Sequence, residues 1–276
     1  MSEGDQGGPA AGVSLSQVFS GAERALLMPY AVGGYPDIDS CGRILRAYRE
    51  SGADLIEIGI PFSDPLADGP VIQAASTIAL GRGVRPKDVL ELAAGAASEG
   101  ARVVLLSYLN TILAFQPTRF FARCQECGVL GVVVPDLPVE EAAELQAIAR
   151  DSHVDVILLV APTSTDARLA RIAAAASGFI YCVSTTGVTG AREALRADLP
   201  AFLARVRRHT ELPLAVGFGV STIDQVAAVA AYADGVIIGS ALIHMVARNP
   251  DLEAALGEVR GYLTEAAAAA KESSHK

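Results

Sequence analysis

Short apolar runs alternate with helix-like stretches along the chain, and this alternation limits the possible folds more than any other feature. The runs are rich in β-branched and large aliphatic residues, which favours strands. Their nearly continuous hydrophobicity is typical of parallel strands that are covered by helices. The eight strand candidates are Leu26 to Val32, Leu55 to Ile60, Arg102 to Leu106, Leu130 to Val134, Val154 to Val160, Gly178 to Val183, Leu212 to Val216 and Asp234 to Ile238.

Eight βα units in a chain of 276 residues match the size of a TIM barrel. We therefore predict an α/β fold with a single-domain (β/α)₈ barrel over residues 13–270 and extra short helices near 15–21 and 241–246. Residues 1–12 and 271–276 are expected to be flexible tails. A doubly wound sheet shares the alternation, but no Gly-x-Gly-x-x-Gly opens the first helix, and the count of eight favours closure.

Composition excludes several functional classes. The net charge is −9, and the 22 basic residues are scattered, so neither a nucleic-acid surface nor an anionic-membrane surface is indicated. The N-terminus lacks a signal-peptide pattern and no apolar run reaches the ~18 residues of a membrane span; we expect a cytoplasmic protein. Cys124-Gln-Glu-Cys127 has half the spacing of a zinc site, but nothing completes it, so no metal site is predicted.

One carboxylate interrupts the second apolar run. Glu57 lies within Leu55 to Ile60, where an unpaired ionised carboxylate would be unfavourable. Alternation places Leu55, Glu57 and Gly59 on one face, so Glu57 can point into the barrel. A structural ion pair is the alternative, although no basic residue lies close in sequence. We expect Glu57 to have a shifted pKa and a chemical role.

Two more carboxylates, Asp64 and Asp68, follow in the loop after the same strand. Ser63-Asp64-Pro65 and Asp68-Gly69 are also ordinary turn sequences, so a structural role stays open for both. If Glu57 and Asp68 occupy different environments, one can exchange protons while the other stays ionised.

Three later loops are rich in glycine: Gly187 to Gly190, Gly217 to Gly219, and Gly239-Ser240, which opens a short helix. In barrels of this class the loops after strands seven and eight and a short helix often bind phosphate. Other candidates at the rim are Tyr108, Asn110, Asp136 and Tyr181. No lysine occurs between Lys87 and Lys271, which argues against a Schiff-base aldolase.

From about Leu26 to the C-terminal helix, the sequence resembles the alpha chains of tryptophan synthases. The likeness rests on Glu57-x-Gly-x-Pro-Phe-Ser-Asp-Pro-x-Ala-Asp68-Gly-Pro and on the three glycine loops in the same order. The resemblance implies a lyase of tryptophan biosynthesis that cleaves indole-3-glycerol phosphate to indole and glyceraldehyde 3-phosphate without a cofactor on this chain.

The resemblance also assigns residues. Glu57 and Asp68 fall on the two catalytic carboxylates. The substrate and phosphate positions are Tyr181, Thr189, Gly190, Gly217, Gly219, Gly239 and Ser240. A beta chain that carries pyridoxal phosphate and consumes the indole is the implied partner, in an alpha2beta2 assembly. The residues expected toward this partner are Pro61, Asp64, Pro65, Asp136 and Pro138.

Two segments depart from the family pattern. Where members can carry an aromatic residue against the indole in the first strand, this chain has Leu27-Met28. Ser184-Thr185-Thr186 lacks an arginine that some members have. Neither departure involves the proton-transfer groups, and Thr189, the expected contact between this loop and Asp68, is present.

Three rival interpretations remain. Another phosphate-binding barrel, such as a sugar-phosphate isomerase or the synthase of indole-glycerol phosphate, would need a catalytic lysine or a different acid pair. A noncatalytic barrel subunit would have no need for Glu57 and Asp68. A stand-alone lyase that releases free indole is compatible with the same residues.

Overall fold

The chain forms a closed barrel of eight parallel strands in sequence order, as predicted. The computed structural model describes residues 13–183, 192–217 and 219–273, and for 192–198 the backbone only. The strands are β1 (Leu26–Val32), β2 (Ile56–Gly59), β3 (Val103–Leu106), β4 (Val129–Val133), β5 (Asp155–Val160), β6 (Ile180–Val183), β7 (Leu214–Gly217) and β8 (Gly235–Ile238). The predicted N-terminal tail lies outside the described residues.

Strand register determines which side chains share the barrel interior. Tyr30 of β1 pairs with Glu57 of β2, and Tyr181 of β6 pairs with Ala215 of β7. All seven residues of β1 are buried, as expected for a strand covered on both faces. Fully burying a large aliphatic side chain contributes about 1.5–3 kcal/mol, so this register is fixed by the core.

Helices surround the barrel, and three of them begin at a proline: α3, α4 and α6. Proline is tolerated in the first turn because the N–H it lacks has no partner there. The helices are α1 (Leu15–Ser20), α2 (Ile38–Glu50), α3 (Pro70–Gly81), α4 (Pro86–Ser98), α5 (Leu109–Phe115), α6 (Pro117–Glu126), α7 (Ala142–Asp151), α8 (Asp166–Ala175), α9 (Arg192–Arg207), α10 (Ile223–Ala230), α11 (Ser240–Arg248) and α12 (Leu252–Ser273).

The sequence pattern did not predict α5, which follows β3 directly. This helix has only seven residues and ends at Gln116, whose φ is 72°, before Pro117 starts α6. So short a segment has no clear helical period. At the other end of the chain, α12 continues to Ser273, past the predicted boundary at residue 270. None of the described helices combines the length and the apolar character that a bilayer crossing requires.

Carboxylates fix the amino-terminal end of the barrel. Asp54 accepts a hydrogen bond from the Leu27 N–H at 2.7 Å and pairs with Arg24. Asp234 accepts one from the Leu214 N–H at 2.8 Å and pairs with Arg207. These pairs anchor strands at the end away from the glycine loops, where barrels of this kind build stability rather than chemistry.

Candidate active site

Glu57 is buried inside the barrel without a compensating partner. Its side chain is 1% exposed, and neither carboxylate oxygen has a hydrogen-bond partner among the described residues. Burial, and secondly the nearby charge of Asp68, raises the pKa of Glu57 to about 8. An ion pair with a basic residue, the structural alternative, is therefore not what holds Glu57 there. The carboxyl is mostly protonated at neutral pH.

Asp68 lies half-buried in the loop after β2. Burial raises its pKa to about 6, and a hydrogen bond with the Tyr108 hydroxyl opposes that shift. The same hydroxyl accepts a hydrogen bond from the Ala67 N–H at 3.1 Å. Asp68 is therefore mostly ionised at neutral pH, in contrast to Glu57. The two carboxyl groups have different protonation states, which is the arrangement that divides acid and base roles.

Tyr30 is an aromatic residue of β1 that lies beside Glu57, whereas Leu27 and Met28 lie earlier in the same strand. Tyr30 is the register partner of Glu57, and a methyl group at Gly59 would overlap its hydroxyl. Its ring also lies beside Gly239 of the β8 loop. Leu27 and Met28 are fully buried, and the Met28 sulfur packs against Gly235, lower in the barrel.

Tyr181 is placed in the same way on the other side of the barrel. A methyl group at Gly217 would overlap its hydroxyl and ring. In both pairs the glycine lies two residues beyond the register partner of the tyrosine, toward the carboxyl end of the next strand. Gly217 therefore gives space to an aromatic ring, a role that the sequence did not indicate.

Four side chains interact electrostatically with one another: Glu57, Asp68, Tyr30 and Tyr181. The charges of Glu57 and Asp68 both raise the pKa values of Tyr30 and Tyr181, after burial as the main cause. Tyr181 is on β6 and Glu57 on β2, so this interaction crosses the barrel interior. Both phenols stay protonated at neutral pH and can donate hydrogen bonds. The interior thus presents one neutral acid, one carboxylate and two phenols.

The glycine side of the mouth offers backbone groups and open space. Gly219 has a φ of 82° and nothing within 4 Å of where a side chain would begin. Ser240 is exposed at the first position of α11, with Gly239 as its N-cap. The first N–H groups of a helix have no partner within it and favour an anion. Thr189 and Gly190 lie outside the described residues.

Surface exposure differs among the residues expected at a partner interface. Asp64 and Asp136 are exposed, and Pro65 and Pro138 are partly buried. Pro61 is buried within the chain and offers no surface to a partner. Leu66, which the sequence did not single out, is 93% exposed in the same loop.

Cys41, Cys124, Cys127 and Cys182 are buried free thiols. Among the described residues, no three of His, Cys, Asp and Glu come together as a metal site. A surface groove of about 350 Å³ lies between α2 and α4. Its charges include the Arg46–Glu99 pair, and it is on the outer helical layer, away from Glu57. The interior group, not this groove, has the chemistry of an active site.

Sequence reasoning missed Tyr30 and did not connect Tyr108 to Asp68. A signal for Tyr30 existed, because Tyr30 shares its alternation phase with Met28 and lies near the carboxyl end of β1. The contact of Tyr108 with Asp68 had no such signal, because it depends on how the β2 loop folds back over β3.

Comparison with known proteins gives a consistent result. The family described as "Tryptophan synthase alpha chain" matches residues 17–271. The tryptophan synthase alpha chain of Roseiflexus castenholzii is 50% identical over 230 residues, covering 83% of this chain and 88% of the relative. That of Carboxydothermus hydrogenoformans is 47% identical over 237 residues, covering 84% and 88%.

Solved structures agree. A chain of Mycobacterium tuberculosis tryptophan synthase superposes with a TM-score of 0.86 at 38% identity, covering 93% of this chain and 98% of the other. The alpha chain of Legionella pneumophila gives 0.84 at 30%, covering 95% and 98%. The chain therefore belongs to the tryptophan synthase alpha chain family, the carbon–carbon lyases that cleave indole-3-glycerol phosphate.

Proposed function

We propose that Glu57 is the general acid and base of this lyase and that Asp68 is its electrostatic partner. The observation that carries the proposal is the difference between the two carboxyl groups. Burial keeps the proton on Glu57, whose pKa is about 8, and Asp68 is mostly ionised, with a pKa of about 6. The reaction needs one group that donates a proton and a second group that stays negatively charged.

Proton transfer to carbon comes first. Glu57 gives its proton to C3 of the indole ring, and the ring becomes an indolenine with positive charge at its nitrogen. Asp68 stabilises this charge and accepts the N–H hydrogen bond. A charge-assisted hydrogen bond of this kind is stronger than a neutral one, and the buried surroundings increase its effect.

Carbon–carbon cleavage follows. The Glu57 carboxylate, having lost its proton, removes the proton of the hydroxyl on the carbon attached to C3. That carbon becomes the aldehyde of glyceraldehyde 3-phosphate. The electrons of the broken bond return to the ring, which neutralises the nitrogen and gives indole. Glu57 ends with a proton, as it began, so the cycle needs no cofactor on this chain.

The glycine side anchors the phosphate. Gly219, Gly239 and Ser240 provide an approachable backbone, a hydroxyl and the N-terminus of α11, which together suit an anion. Tyr30 and Tyr181, and the glycines that give them space, line the barrel where the indole ring would lie. Thr189 and Gly190 stay as predicted contacts of the same phosphate.

A beta-chain partner is part of the proposal, with alpha2beta2 stoichiometry, pyridoxal phosphate on the beta chain and a cytoplasmic location. Leu66 is 93% exposed and Leu113 of α5 is 52% exposed. They follow neighbouring strands at the carboxyl end of the barrel. Apolar side chains exposed beside Asp64 and Asp136 are typical of a surface that another chain covers. This observation favours a partnered lyase over a stand-alone one.

The test is to incubate the full chain with indole-3-glycerol phosphate and to measure both products, with and without a beta chain. We expect indole and glyceraldehyde 3-phosphate in equal amounts, and a higher rate when the beta chain is added. Equal products with no change in rate and no binding would identify a stand-alone lyase. Absence of indole under both conditions would contradict the proposed function.

A further inference from the structure

Tyr108 has one hydroxyl and two contacts that converge on the catalytic loop. The hydroxyl hydrogen-bonds the Asp68 side chain and accepts the Ala67 N–H at 3.1 Å. The Tyr108 ring stacks on Phe62, with ring centroids 5.0 Å apart and an interplanar angle of 24°. Phe62, Ala67 and Asp68 all belong to the loop after β2. Tyr108 therefore contacts this loop at its start and at its catalytic end.

The backbone around Tyr108 is fixed on both sides. The Ser107 N–H donates to the Val133 carbonyl of β4 at 2.9 Å. The Leu109 N–H donates to Asp136 Oδ1 at 2.8 Å. Leu109 is the first residue of α5, whose N-cap residue, Tyr108, provides no side-chain cap. Asp136 therefore caps α5 from the neighbouring β4 loop, so it has a role within the chain in addition to any at a partner surface.

The hydroxyl of Tyr108 also influences the charge of Asp68. Burial raises the pKa of Asp68, and the hydrogen bond from Tyr108 lowers it. A phenol that donates to a carboxylate favours the ionised form. Tyr108 itself is 2% exposed, so its hydroxyl meets the half-buried Asp68 from inside the fold.

We propose that Tyr108 is a positioning residue that holds Asp68 and the loop after β2 in the reactive geometry, through its hydroxyl and its stack on Phe62. This inference rests on the proposed role of Asp68. The role of Tyr108 is exerted through Asp68, which its hydroxyl contacts. Asp136 supports Tyr108 by accepting the hydrogen bond from the Leu109 N–H.

A packing role alone makes a different prediction. If only the ring mattered, phenylalanine would replace Tyr108 without consequence, because the stack on Phe62 would remain. The hydroxyl is what distinguishes the two roles. Tyr48 provides a matched control: it is a buried tyrosine whose hydroxyl donates to the Tyr30 carbonyl at 3.2 Å, and it has no contact with the β2 loop among the described hydrogen bonds.

The kinetic test compares Tyr108→Phe with Tyr48→Phe in the full chain. We expect Tyr108→Phe to lower kcat by about tenfold with KM within about twofold, the size expected for loss of one hydrogen bond to a charged group. The acidic limb of the kcat/KM profile should move to higher pH, because Asp68 without this hydrogen bond loses its proton at a higher pH. Tyr48→Phe should keep the wild-type pH profile. A wild-type kcat and profile in Tyr108→Phe would overturn the proposal.

A second measurement needs no turnover, so it separates this inference from the proposed function. In a chain with ¹³C-labelled aspartate, the Asp68 carboxyl is assigned by its loss in Asp68→Asn and titrated. We expect Tyr108→Phe to raise its pKa by about half a unit to one unit and to speed exchange of the Ala67 N–H. An unchanged titration and unchanged exchange would contradict the positioning role even if the wild type releases indole normally.

Asp136 gives a third check. Asp136→Ala removes the acceptor for the Leu109 N–H, and Asp136→Asn keeps an oxygen in its place. We expect the alanine variant to raise the Asp68 pKa in the same direction as Tyr108→Phe, and the asparagine variant to restore the wild-type titration. Equal titrations in both variants would remove Asp136 from the support of Tyr108.

Discussion

The two sides of the barrel mouth differ in the chemical groups that they present. On the β2 and β3 side the candidate groups are side chains: Glu57 is buried with a raised pKa, and Asp68 contacts the Tyr108 hydroxyl. On the β7 and β8 side, Gly219, Gly239 and Ser240 present backbone, one hydroxyl and a helix N-terminus. In the proposed mechanism, the first side moves protons and the second binds the phosphate.

Under the proposed division of roles, an acidic protein can bind a phosphate ester. The chain has a net charge of −9, so the phosphate must be bound against an unfavourable overall field. Oriented N–H groups supply local positive potential without a cation. A lysine or arginine near the acid pair would instead pair with Glu57 and lower its pKa. Separating the two functions keeps the proton on Glu57.

The largest expected effect is on the acid side. Glu57→Gln keeps the shape of the side chain but removes the transferable proton, and we expect kcat to fall by about 10³-fold or more. The dissociation constant of a nonreactive substrate analogue should change little, because the phosphate anchor lies across the mouth. Steady-state indole release and calorimetric binding measure the two quantities. Indole release at the wild-type rate would remove Glu57 from the mechanism.

Asp68→Asn should have the next largest effect, a fall in kcat of about 10²-fold, because a neutral amide stabilises the charged indolenine less well. Binding of the analogue should again be nearly unchanged. The same assays apply, with Asp64→Asn as a control from the same loop. Equal losses in the two variants would mean that the loop, and not the Asp68 charge, matters.

Glu57 should also make folding stability depend on pH. Its folded pKa of about 8 lies above that of an unfolded glutamate, so its contribution to stability is fully present below about pH 4.3 and is lost as pH rises toward 8. Relative to Glu57→Gln, the wild type should lose on the order of 2 kcal/mol between pH 5 and pH 7. Denaturant unfolding of both proteins tests this. Parallel curves for the two proteins would mean that Glu57 is ionised in the fold.

The smallest expected effect is on the glycine side. Gly219→Ala should raise KM by about tenfold with kcat within about twofold, because strain at φ 82° disturbs only the backbone that meets the phosphate. Gly100→Ala is a matched control: Gly100 has φ 91° and also has open space around it, but it precedes β3 at the opposite end of the barrel. Both variants should lose about 1–2 kcal/mol of stability, the cost of a left-handed conformation for an L-residue. The same KM in both would exclude Gly219 from the phosphate site.

Much of the fold was predictable because hydrophobic periodicity is local. All eight strands follow from apolar runs, and their number indicates the closure of the barrel. The exact start of a helix is harder to predict: α3, α4 and α6 begin at a proline, a residue that ends a helix when it lies in the interior. The helix α5 is too short to show a period.

The role of a site residue was predictable only where one segment of the sequence contains the signal for it. Glu57 is anomalous in its own strand, so the sequence alone indicated it. Tyr30 acquires its role from the β1–β2 register and from Gly59, and Gly217 acquires its role from the Tyr181 ring. Tyr108 meets Asp68 only because the β2 loop folds over β3. Contacts between strands depend on register, which no single segment contains.

The central claim is that Glu57 carries a proton at neutral pH. It can be tested by titrating the ¹³C-labelled carboxyl of Glu57 by NMR in the wild-type chain, with Glu57→Gln for assignment. We expect an apparent pKa of about 8. A pKa near that of an ordinary glutamate, about 4.3, would show an ionised carboxylate at neutral pH and would contradict its role as the proton donor.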